Sequence, residues 1–85
     1  MKLRVLYFAR LREELGRSAE AVEFPGEAAT VAALRDFLSG RDANWAAALA
    51  PRRGVRIAVN QDMAEDATAL AAGDEVAFFP PVTGG

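Results

Sequence analysis

The chain has 85 residues, 52% hydrophobic and 26% charged, with a formal net charge of -2 and neither cysteine nor histidine. That length and balance fit one folded core and exclude a disordered segment. Nine of the ten basic residues are arginines scattered among acidic ones, so no stripe for nucleic acid appears. The missing residue types exclude disulfides, thiolate nucleophiles, the common zinc sets and the usual general base near neutral pH, and no metal site is expected.

In chain order, the opening MKLRVLYFAR has its apolar residues broken by Arg4 and lacks the apolar run and cleavage site of a leader. It reads as a strand over Lys2 to Phe8 in a cytoplasmic protein that uses no membrane. Leu3, Val5 and Tyr7 alternate against Leu6 and Phe8, so both faces are apolar. Arg10 to Leu15, stopped by Gly16, reads as a short helical turn, and Glu20 to Phe24 as a second strand ended by Pro25-Gly26, the two strands forming a hairpin. Thr30 is a good N-cap for a main helix carrying Val31, Leu34 and Leu38, with Gly40 as its stop.

An alanine-rich helical piece runs from Trp45 to Ala50 and ends at Pro51. Val55 to Val59 reads as a strand, Asn60-Gln61-Asp62 as a turn, Ala67 to Ala71 as a short helical turn, and Glu75 to Phe79 as the last strand. The order β-β-α-β-β predicts an α+β fold: a mixed sheet with one main helix on one face and short extra helical pieces, the order of a β-grasp or ubiquitin-like domain. Residues 1–79 form that single domain, and 80–85 an extended, flexible C-terminal tail.

The tail has its own physical logic. Pro80 and Pro81 lack amide donors and have fixed φ, so they end sheet pairing and launch a stiff segment. At roughly 3.3 Å per residue, the stretch from Pro80 through Val82 and Thr83 to Gly85 reaches about 20 Å, enough to enter another protein's active site. Gly84 and Gly85, without Cβ atoms, suit a narrow channel. The group delivered there is the Gly85 carboxylate.

The ending GDEVAFFPPVTGG, the VNQ at Val59 to Gln61 and the opening VLYFARLRE together resemble the MoaD/ThiS family of ubiquitin-like sulfur carriers. Within it, the chain is most similar to molybdopterin synthase small subunits. The resemblance implies that Gly85 is adenylated by a separate E1-like, MoeB-like enzyme using ATP and converted to a thiocarboxylate by a sulfur donor. The sulfur then passes to cyclic pyranopterin monophosphate in a MoaE-like large subunit, in a heterotetramer of two small and two large subunits. This chain has no phosphate-binding Gly-rich loop and is expected to bind no cofactor itself. The resemblance implies a carrier, with the active site expected on its partner.

Leu6, Phe8 and Phe79, with Met63, are expected to form an apolar patch at the root of the tail that serves as the partner interface, and Arg12 to lie near the same edge. Trp45 is read as a packing residue. The neighbouring carboxylates Glu13-Glu14 and Glu65-Asp66 point apart and are read as solvated. Competing readings are a carrier for thiamine or tRNA thiolation, a ubiquitin-like modifier joined to proteins through Gly85, and a binding module in which the terminal glycines have no role.

Overall fold

The computed structural model describes residues 1–81. The tail positions Val82, Thr83, Gly84 and Gly85 lie outside the described residues. Alternation in the first strand sets the architecture: in β1 (Lys2–Tyr7), Leu3, Val5 and Tyr7 are buried while Lys2 and Arg4 are exposed. β1 pairs antiparallel with β2 (Ala19–Glu23) and parallel with β7 (Glu75–Phe79), which pairs antiparallel with β4 (Arg56–Val59). With β5 (Asp62–Met63) on the far edge, the five-stranded order is β2-β1-β7-β4-β5. The mixed sheet is thus the α+β arrangement predicted from the sequence.

The first two strands pair as expected, but their link holds two turns of helix α1 (Ala9–Leu15), which closes at Gly16 in the left-handed conformation that glycine adopts without strain. Leu11 and Leu15 turn inward from it. The main helix α2 (Val31–Ser39) starts where predicted, with the Ala33 N–H donating to Thr30 Oγ1 at 3.2 Å. Its Val31, Leu34 and Leu38 close over Leu3, Val5, Tyr7, Val76 and Phe78, each fully buried leucine contributing roughly 1.5–3 kcal/mol. Gly40 is not a left-handed stop. It follows α2 at φ -76°, and the chain turns there toward Asp42.

Asp42 caps α3 (Ala43–Ala48), earlier than the sequence suggested, by accepting from the Trp45 N–H at 3.0 Å. Pro51 then opens a 3-10 turn to Arg53 that ends at left-handed Gly54. Asn60 and Gln61 sit at φ 49° and 73°, the two-residue turn that joins β4 to β5 with the twist a hairpin needs. Asn60 is anchored because its amide side chain reaches Asp74 while its oxygen accepts from the Glu75 N–H. The helical turn expected at Ala67–Ala71 is absent: β6 (Ala69–Leu70) pairs with β3 (Ala29–Thr30) as a two-stranded ribbon. Its backbone bonds go to a segment forty residues away, and that pairing overrides alanine's helical preference.

Candidate functional site

Strand register sorts the side chains at the end of β7. Phe78 faces the helices, paired across the sheet with Tyr7 and Ile57, so Phe79 faces outward opposite Arg56. The Phe8 N–H donates to the Phe78 carbonyl at 3.1 Å, the last bond before β1 bends into α1. Ala9 takes that bend at φ 52°, a left-handed conformation that is costly for a residue with a Cβ. The reversal leaves Phe8 on the outer side, stacked on Phe79 with ring centroids 4.8 Å apart and planes 7° off parallel. Stacking fixes both rings as a slab.

That slab walls an open groove of about 570 Å³ lined by Phe8, Ala9, Arg56, Met63, Phe79, Pro80 and Pro81. Phe8 is 40% and Met63 58% exposed. Of the residues expected at an interface, Phe8, Met63 and Phe79 therefore meet. Leu6 lies one row away, half-buried and paired in register with Ala77, which pairs with Ala58 and it in turn with Met63. The outer face thus carries an apolar row across the sheet. Arg12 is exposed on α1 and does not line the groove.

Pro80 and Pro81 carry the chain out of the sheet. On one side they line a smaller hollow with Ala9 and Arg10; on the other, Pro81 packs over Gly54, where an added Cβ would sit 3.8 Å from the proline ring. The root of the tail is held between the start of α1 and the loop before β4. Sequence reasoning missed Ala9, Arg10, Gly54 and Arg56, because only the pairing of β1, β7 and β4 brings them to one end of the sheet.

Polar interactions elsewhere are structural. Glu20 accepts from the Tyr7 hydroxyl at 2.7 Å and from both Arg41 Nη atoms at 2.7 and 3.0 Å, with Arg17 at 2.9 Å. Burial alone would raise the Glu20 carboxyl; the bonds from Arg41 and Tyr7 and the two guanidinium charges hold it below its ordinary value. Burial, reinforced by the Glu20 hydrogen bond, keeps Tyr7 neutral far above its usual range. Trp45, as expected, is a packing residue: its ring meets Tyr7 edge-on, and Arg41 lies 4.5 Å from its centroid. Of the carboxylates read as solvated, Glu14 is half-buried and paired with Arg53, while Asp66 is exposed as expected and also pairs with Arg35. No described helix is long and apolar enough to cross a membrane.

Known proteins share this architecture and sequence. The family model described as the ThiS family matches residues 5–85. A molybdopterin synthase sulfur carrier subunit of Escherichia coli strain K12 is 45% identical over 85 residues, covering 98% of this chain and 99% of that protein. The small archaeal modifier protein 1 of Haloferax volcanii superposes with a TM-score of 0.74 at 32% identity, over 95% of this chain and 98% of that one. A protein-protein complex of subunits 1 and 2 of molybdopterin-converting factor from Helicobacter pylori contains a chain alike in fold, with a TM-score of 0.66 at 23% identity and 100% coverage of both chains.

Proposed function

The chain belongs to the ThiS family, and on that premise we propose that it is the sulfur carrier subunit of a molybdopterin synthase, working through the carboxylate of Gly85. One observation carries this reading: the family match runs through Gly85, while β7 ends at Pro80-Pro81 beside an open apolar groove. A carboxylate is a poor electrophile, so a separate adenylating enzyme joins it to AMP from ATP with loss of pyrophosphate. A sulfur donor then displaces AMP and leaves the thiocarboxylate. The large subunit docks on the groove, receives the tail and supplies the site in which sulfur passes to cyclic pyranopterin monophosphate. Two small and two large subunits make the working assembly.

Incubating the full chain with the adenylating enzyme, ATP and a sulfur source, then measuring its intact mass, tests the loading step. The expected result is the increment for exchanging one oxygen for one sulfur. Loaded protein given to the large subunit with the pterin precursor should then form molybdopterin. Loading without that product would favour a carrier for another thiolation pathway. The likeness to an archaeal modifier supports a second reading, conjugation through Gly85 to protein amines, and isopeptide-linked adducts in place of the sulfur increment would favour it.

A further inference from the structure

Cations are paired unevenly over this chain. Arg17 and Arg41 share Glu20, Arg35 pairs with Asp66 and Arg53 with Glu14, all within 2.9 Å. Among the described residues, Arg4, Arg10, Arg12, Arg52 and Arg56 enter no ion pair and all are exposed, and of these Arg10 and Arg56 line the hollows at the root of the tail. They flank the root of the tail from opposite sides. Arg10 lines the hollow against Pro80 and Pro81, and Arg56, opposite Phe79 across the sheet, lines the main groove. Arg56 also borders a hollow containing Glu65 and Asp66, but Asp66 is committed to Arg35 and no ion pair joins Arg56 to Glu65. At the other end of the sheet acidic groups outnumber basic ones: Asp62, Asp74 and Glu75 gather around the Asn60 turn and the start of β7, with Arg4 opposite Glu75 and Lys2 paired to Glu23. A chain of net charge -2 thus presents its tail from a cationic end.

A partner that covers the groove dehydrates the edges of these guanidinium groups. Burying a charge without a counter-charge is unfavourable, whereas charges of opposite sign across an interface steer the encounter and fix its orientation. We infer that the large-subunit segment seated on this groove places an apolar side chain between Phe8, Met63 and Phe79 and carboxylates against Arg10 and Arg56. The arginine pair is a positioning device. It turns the cationic end toward an acidic rim, so that the tail leaves Pro81 already aligned with the entrance it must thread. This inference rests on the sulfur-carrier reading and adds the chemistry of the partner surface.

The test is the association rate of the full chain with the purified large subunit across a range of ionic strength. For the unmodified chain the rate should fall steeply as salt rises. Arg10→Gln/Arg56→Gln should lower it about tenfold or more at low salt and flatten the salt dependence, with a smaller change in dissociation rate. Lys2→Gln, which removes a charge at the opposite end, should behave as the unmodified chain does. If the double variant binds at the same rate with the same salt dependence, the inference is overturned and the sulfur-carrier reading stands. A rate loss confined to the adenylating enzyme would also overturn it, by placing the acidic surface on that protein. If the unmodified chain does not bind the large subunit at all, the sulfur-carrier reading falls and takes the inference with it.

Discussion

Tyr7 and Phe78, on the helix side of the sheet, are 1% and 0% exposed; one residue further along each strand, Phe8 and Phe79 stack on the outer side around a groove open to water. Tyr7 and Phe78 are the last register pair of β1 and β7, and Phe8 and Phe79 follow directly after it, where the chain bends into α1 at Ala9. What differs is the cover. The inner pair meets Trp45 and the leucines of α2, a surface the chain supplies itself. No helix or loop among the described residues closes over the outer groove. A domain this small buries a limited share of its surface, and the apolar area left on one end is suited to being completed by another chain. On the proposed reading, folding and docking fall to opposite faces of one sheet.

The sharpest way to separate the two assignments is at the end of the chain. Deleting Gly85 should abolish sulfur transfer while leaving the melting temperature and large-subunit affinity nearly unchanged. The deletion withdraws the carboxylate by roughly 3.3 Å, and a misplacement of ~1 Å already costs on the order of a hundredfold in rate. Molybdopterin formation by chemically thiocarboxylated full-length and truncated chains, beside a binding titration of each, would measure both. Near-normal turnover by the truncated form would overturn the mechanism.

Substituting the neighbouring aromatics should divide the same way with smaller effect. Phe78→Ala should destabilise the fold by about 3–5 kcal/mol, because it opens a cavity among residues that cannot collapse into it. Phe79→Ala should leave most of that stability and weaken large-subunit binding by about 2 kcal/mol. Denaturant titration of both variants paired with calorimetric binding of the second would settle it, and equal stability losses with unchanged affinity for Phe79→Ala would erase the proposed distinction between the faces.

The smallest expected effect concerns the helix side alone. The Glu20 carboxyl binds its proton more weakly folded than unfolded, so its contribution is complete above the unfolded value of 4.5 and is lost as pH falls through the lower folded value. Melting temperature should therefore decline in acid below that point. Glu20→Gln should cost about 1–2 kcal/mol at neutral pH, where it removes a charged acceptor from Tyr7 and Arg41, and should flatten the acid decline. A variant whose acid profile matched the parent's would show that Glu20 is not the titrating group. Large-subunit binding should not respond, since Glu20 lies away from the groove.

Local signals in the amino-acid sequence determined much of this protein. The alternation of Leu3, Val5 and Tyr7, the Thr30 cap, the Asn60-Gln61 turn and the proline pair after Phe79 each act within a few residues, through side-chain direction, one hydrogen bond or a fixed φ, and all are legible in the chain before it folds. The motif ending in Gly85 carried the family in the same way. Tertiary structure alone decided the rest. Ala69–Leu70 became a strand because Ala29–Thr30 was there to pair with it, Glu20 became a half-buried acceptor because Arg41 arrived from 21 residues away, and the groove exists because β1, β7 and β4 bring Ala9, Arg56 and Pro81 to one end of the sheet. None of these residues has a local preference for that outcome. Each is placed by contacts distant in sequence, whose geometry is fixed only when strand register is.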